Sequence, residues 1–150
     1  MSFSVDTPVG SLGFDAIDAG ITRMHWGRVG NLDPSPLADL VEDEINQYFA
    51  GELTKFSIPL APKGSTFQLA FYDALCAIPF GETRTYGDLA RDLNVSAQAI
   101  GQACGANPIA IIVPCHRVLA ADGLGGFSGA GGVESKVQLL KLEGAGSLLL

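Results

Sequence analysis

A turn-rich pentapeptide, Ala61-Pro62-Lys63-Gly64-Ser65, separates two different hydrophobic patterns and so limits what the chain can fold into. Before it, Phe3 to Val5, Val9 to Ile17 and Ile21 to Trp26 are short apolar runs broken by Gly and Asp, the spacing of a small antiparallel meander. Ser35 and Pro36 then open a helix on which Leu37, Leu40, Val41, Ile45, Tyr48 and Phe49 share a face, and Gly51 stops it. Phe56, Ile58 and Leu60 alternate as on a half-buried strand. After the pentapeptide the pattern becomes mainly helical. Ser65 or Thr66 caps a helix carrying Phe67, Ala70, Phe71, Ala74 and Leu75, which ends before Pro79. Thr85 to Leu93 reads as a second helix, Asn94-Val95 as a turn, and Ser96 caps a third from Ala97 to about Cys104. This pair is a helix-turn-helix candidate, although spacing alone favours an ordinary corner between two helices. Ile109 to Val113 reads as a buried strand-like run, and a Gly-rich stretch leads to a last helix carrying Val133, Val137, Leu139 and Leu140 that ends at Glu143-Gly144. The expected fold is α+β. Residues 1–60 form an α/β unit, 61–65 a linker and 66–150 a mainly helical domain.

With 150 residues, 47% of them apolar and 17% charged, the chain has enough apolar material for a globular core. The longest apolar runs are far below the roughly 20 residues needed to span a bilayer, so no membrane role is expected. The opening residues Met1 to Asp6 lack a basic segment and an apolar stretch, and three cysteines do not make a disulfide framework. The expectation is a cytoplasmic chain with reduced thiols. Its net charge of −7 counts against non-specific nucleic-acid binding, which rests on many Lys and Arg contacts to phosphate.

Cys115 next to His116, directly after the apolar run, fits a held nucleophile. The thiolate is the reactive form, His116 would accept the thiol proton directly or through one water, and a carboxylate such as Glu143 would orient the imidazole. Taken alone, the dipeptide favours the plainer reading of a small buried hydrophobe beside a satisfied histidine.

The wider context alters that balance. Ile78-Pro79-Phe80-Gly81-Glu82-Thr83, Thr85-Tyr86, Leu89-Ala90, Ala99-Ile100-Gly101, Asn107-Pro108, Pro114-Cys115-His116-Arg117-Val118, Gly125-Gly126-Phe127-Ser128-Gly129, Lys136, Leu139-Leu140 and Glu143-Gly144 occur in this order. Together they resemble the O6-alkylguanine-DNA alkyltransferases, also called methylated-DNA–protein-cysteine methyltransferases, over about Phe67 to Ala145. The resemblance implies direct repair of O6-alkylguanine in double-stranded DNA, with Cys115 accepting the alkyl group once and irreversibly. It implies that His116 and Glu143 help form the thiolate and that Tyr86 protonates the departing guanine. Asn107 would hold the bend before the active-site loop, while Val118, Phe127 and Ser128 would line the base pocket with Lys136 as a polar support. Ser96, Ala97, Gln98, Ala99, Gly101, Gln102, Gly105 and Arg117 would meet DNA. The resemblance further implies a ribonuclease-H-like sheet in the first domain and a monomer that needs no cofactor. Some relatives carry zinc in that domain; residues 1–65 here contain only His25 and no cysteine, so no metal site is expected. Two other readings compete: an alkyltransferase-like protein that binds damage without repairing it, which typically has tryptophan where Cys115 stands, and a cysteine hydrolase, for which no oxyanion-hole motif is visible.

Three positions depart from the family pattern. Gln98 stands where an arginine usually fills the gap left by the flipped base, Gly105 replaces an often basic residue, and Phe127 replaces a tyrosine. Residues 1–65 hold 4 basic and 9 acidic residues, residues 66–150 hold 5 and 7, and Leu93 to His116 carries no formal charge. The acidity therefore lies mostly outside the expected DNA face, and the expected affinity is modest with a shallow salt dependence. Gln98→Arg supplies charge and a planar stacking surface and is expected to tighten duplex binding. Fluorescence anisotropy across a salt series checks this, an unchanged or weaker Arg variant counting against it.

Overall fold

The computed structural model describes residues 1–29, 34–127 and 131–145. The fold is mixed α/β, with one small antiparallel sheet and, among the described residues, five α-helices. It separates into two compact units, Met1–Lys63 and Gly64–Leu150.

In the first unit β1 (Ser2–Thr7), β2 (Gly10–Ile17) and β3 (Gly20–Trp26) form the meander that alternation predicts. The register sets Phe3 opposite Phe14, Val5 opposite Leu12 and Phe14 opposite Met24, which places these side chains on one buried face. Helix α1 (Pro36–Phe49) starts as expected, with Ser35 Oγ accepting from the Ala38 amide and Pro36 in the first turn. It lies against β1 and buries Val41, Ile45 and Tyr48. Its buried Glu44 accepts from the Ser57 amide at 2.7 Å and the Ser57 hydroxyl at 2.5 Å, so the 50s segment is held by a side chain. The alternation of Phe56, Ile58 and Leu60 does not produce a strand. Only Leu60 bridges, in parallel, to Ile21. Pro59 and Pro62 donate no backbone hydrogen bond, which stops the ladder from extending. Gly20 makes this contact sterically possible: at φ +146° a Cβ there would stand 2.4 Å from Pro59 O.

In the second unit α2 (Thr66–Cys76) begins at a capping box in which Ser65 and Gln68 satisfy each other's backbone amides. The two-residue β4 (Arg84–Thr85) leads into α3 (Tyr86–Leu93), again through a capping box, here of Thr85 and Asp88. Asn94 ends α3 in the left-handed region, a conformation asparagine tolerates. Ser96 caps α4 (Ala97–Gly105), and α4 packs on α3 through buried Ile100 and Ala103. A single 3₁₀ turn, Cys115–Arg117, precedes β5 (Val118–Leu119), which pairs in parallel with β4. The last helix, α5 (Val133–Glu143), stops at left-handed Gly144.

Helix α5 carries Val133, Val137, Leu139 and Leu140 as expected, but Val133 is exposed and the inner stripe is Ser135, Lys136, Leu139, Leu140 and Glu143. A hydrophobic pattern could not have shown this, because three of those five residues are polar. Ile109 to Val113 is buried as expected, yet it is a knot of turns and not a strand.

Candidate active site

The knot is organised by Asn107, just beyond α4. Its Oδ1 accepts from the Ile109 amide at 3.0 Å and its Nδ2 donates to Val113 O at 2.8 Å, so one side chain ties both ends of the run together. Inside it, the Ile112 amide donates to Ala110 O at 2.9 Å across Ile111, whose φ is +73°. This is a γ-turn centred on a β-branched residue, a conformation that costs about 1–3 kcal/mol and persists only where surrounding packing imposes it. All five residues of the run are buried. Pro114 then forms an inverse γ-turn (φ −83°, ψ 67°), with the Cys115 amide donating to Val113 O at 2.8 Å. Val113 O thus accepts from both Asn107 and Cys115, which couples the end of α4 to the position of the thiol.

His116 and Glu143 have fully buried side chains and meet at 2.7 Å between Nε2 and Oε2. Arg117 donates to the same carboxylate from Nε at 2.8 Å and from Nη2 at 3.1 Å, and from Nη1 to Ile78 O at 2.7 Å. A carboxylate held in this way by guanidinium is ionised and only accepts. The His116 proton therefore sits on Nε2, and neutral His116 keeps its lone pair on Nδ1. That Nδ1 is buried without a hydrogen-bond partner. Burial, opposed by Glu143, holds His116 below the usual histidine range, which favours the neutral base. Arg117, expected at the DNA surface, is corrected: it is buried, stacks 5.8 Å from the Phe80 ring centre and serves Glu143. Its place next to His116 in sequence gave no sign of this.

Lys136 is also buried. Its Nζ donates to Val118 O at 2.7 Å, Leu124 O at 2.6 Å and Gly126 O at 3.1 Å, which uses all three protons. It pins the Gly-rich segment to α5, and burial lowers its pKa. This segment forms one side of a cavity of 390 Å³, lined by Tyr86, Gly101, Cys104, Gly105, Cys115, Gly126 and Phe127. Gly125 (φ +70°) must be glycine, since a Cβ there would lie 2.9 Å from the Tyr86 hydroxyl. Burial keeps Tyr86 protonated well above neutral pH. The Cys115 thiol is pushed up by burial, against a hydrogen bond from Asn107 and the charge of Lys136.

The structure thus gathers Cys115, Tyr86, Gly101, Gly105 and Phe127 around one cavity. Asn107 and Lys136 stand behind it as ties. Val118 is fully buried and contributes its carbonyl to Lys136. Ser96 is occupied as the α4 cap, while Ala97, Gln98 and Gln102 are exposed on α4 and Ala99 is half-buried. Ser128 lies outside the described residues. Cys104 was missed: it lines the cavity, and the signal available was its spacing of three from Gly101 on one helix face.

Known proteins match this arrangement. A family model described as 6-O-methylguanine DNA methyltransferase, DNA binding domain, matches residues 66–145. Methylated-DNA–protein-cysteine methyltransferase of Mycobacterium tuberculosis is 41% identical over 155 residues, covering 93% of this chain and 90% of the relative. The protein of the same name from Mycolicibacterium paratuberculosis is 43% identical over 151 residues, with coverage of 93% and 90%. This chain belongs to the O6-methylguanine DNA methyltransferase family. Its fold agrees: Mycobacterium tuberculosis OGT, solved in complex with DNA, superposes with a TM-score of 0.82 at 39% identity, covering 95% of this chain and 92% of that one. Removing Arg117 would take both guanidinium hydrogen bonds from the buried Glu143 carboxylate. Arg117→Leu is expected to cost about 3–5 kcal/mol of stability, read by urea unfolding; a loss below about 1 kcal/mol would contradict the buried pairing.

Proposed function

We propose that this chain repairs O6-alkylguanine in double-stranded DNA by moving the alkyl group to Cys115 in a single turnover. The observation that carries the proposal is the Glu143–His116 pair, which leaves an unpartnered Nδ1 on the residue next to a cysteine that lines a cavity. An O6-alkyl carbon cannot be approached in line while its base is stacked, so the nucleotide is extruded at a cost of a few kcal/mol. The meander and α1 act as a ribonuclease-H-like scaffold, residues 66–150 form the DNA-binding and active-site domain, and α3 with α4 acts as a helix-turn-helix. Ala97, Ala99, Gly101 and Gly105 let α4 approach the minor groove closely, Gln98 fills part of the vacated stack, and Asn107 relays the position of α4 to Cys115.

Within the cavity Tyr86 and Phe127 flank the base. His116 takes the Cys115 proton at Nδ1, directly or through one water, and Glu143 stabilises the resulting cation. The sulfur attacks the alkyl carbon, a C–S bond forms, and the C–O pair withdraws into the guanine. Burial holds Tyr86 protonated, so it has a proton to neutralise the departing base. The product is a thioether, which thiols cannot reduce, and the protein is spent. This rests on Cys115 being present; a protein limited to binding damage would not need it.

Incubation with an O6-methylguanine duplex should add one methyl to the peptide bearing Cys115, as read by mass spectrometry, and Cys115→Ala should abolish it. Methyl on Cys76 or Cys104 would defeat the mechanism. The rate should also rise with pH. His116 must be neutral, and its depressed pKa keeps it so until the pH falls below the ordinary value of about 6.5. The raised Cys115 pKa keeps the thiol protonated through neutrality, so alkali helps. A transfer rate that declines between pH 6 and 8 would be inconsistent with this assignment of base and nucleophile.

A further inference from the structure

Two of the cavity-lining residues are cysteines, the acceptor Cys115 and Cys104. Helix α4 reaches the cavity at Gly101, Cys104 and Gly105, the spacing of one helix face. Gly101 and Gly105 carry no side chain, and a Cβ added to either would meet nothing within 4 Å. Among the described residues, that sulfur is the only side-chain group α4 presents to the cavity holding the acceptor. Cys76, at the end of α2, is exposed and does not line this cavity.

We infer that Cys104 is the resolving thiol of Cys115, and that a peroxide converts the pair into an internal disulfide that small thiols reverse. The inference rests on the reading of Cys115 as the reactive cysteine. In the first step the Cys115 sulfur attacks one peroxide oxygen: an S–O bond forms, the O–O bond breaks, and the released hydroxide takes the thiol proton to give water. Sulfur is oxidised to a sulfenic acid and the peroxide is reduced. In the second step the Cys104 sulfur attacks the Cys115 sulfur: an S–S bond forms, the S–O bond breaks, and the hydroxide leaves as water with the Cys104 proton. Two thiols and one peroxide become one disulfide and two waters.

Oxidation starts at Cys115 because Asn107 favours its thiolate as well as Lys136, whereas Cys104 has only the charge of Lys136. Burial pushes the Cys104 thiol up to about 12, with the charge of a Cys115 thiolate adding to the shift, so Cys104 does not compete as an alkyl acceptor. A sulfenic acid at Cys115 is neutral and removes that repulsion. The benefit follows from single use: sulfinic acid destroys the acceptor, whereas a disulfide returns it.

The test treats the full chain with hydrogen peroxide, blocks free thiols and maps peptides without reduction. The expected product joins the Cys104 and Cys115 peptides with loss of two hydrogens. Methyl transfer falls in step and dithiothreitol restores it. In Cys104→Ser, compared with its own unoxidised activity, the loss is not restored and Cys115 gains two or three oxygens; Cys76→Ser behaves as wild type. The inference fails if wild-type Cys115 is found only as sulfinic or sulfonic acid, if its partner is Cys76 or another chain, or if Cys104→Ser recovers as fully as wild type. Absence of methyl transfer before oxidation would instead refute the acceptor role, since the peptide map reads the pair independently of activity.

Discussion

The carboxylate of Glu143 is the point on which the site depends. Removing an ion from water costs several kcal/mol, and such a group is tolerated only where its lone pairs are occupied. Here His116 takes one and Arg117 two, and Arg117 in turn holds Ile78 O. One buried group therefore sets the histidine tautomer, anchors the end of α5 and ties in the turn after α2. The ion pair adds little net stability against a hydrophobic alternative. Its effect is specificity, since an imidazole held at Nε2 has a single remaining nitrogen with which to act.

The same solution recurs throughout the segment between α4 and α5. Residues 107–127 contain only a three-residue 3₁₀ turn and a two-residue strand, so few of their backbone groups are satisfied by regular structure. Buried backbone groups need partners regardless. Asn107 satisfies two of them and Lys136 three, each from a side chain planted at or beyond a helix end or along its buried face. An irregular loop is rigid here because polar side chains replace the ladder it lacks. The γ-turn at Ile111 is held in place by the same ties.

Burial also sets the charge state of the resting site. It raises the Cys115, Cys104 and Tyr86 pKa values and lowers those of His116 and Lys136, each shift favouring the uncharged form. A cavity with so little resting charge suits an uncharged alkylated base, and charge separation is deferred until a proton moves from Cys115 to His116. The acidic character of the chain does not conflict with this. The segment from Leu93 to His116 carries no formal charge, and the second unit is nearly balanced.

Local chemistry made much of this visible in the residues alone. The caps Ser35, Ser65, Thr85 and Ser96, the meander and the Pro-Cys-His-Arg-Val core are short-range patterns, and each depends on neighbours a few positions away. The roles of Arg117, Lys136 and Cys104 were not visible in this way. An arginine beside the nucleophile reads as a surface charge until Glu143, 26 residues on, is brought against it. Nor does an apolar run of five reveal that Asn107 will fold it into turns. The sequence by itself determined which groups were available and which helices and strands would carry them. Only the tertiary structure decided which were buried together, because desolvation and hydrogen-bond partners are properties of packing and not of the chain's order.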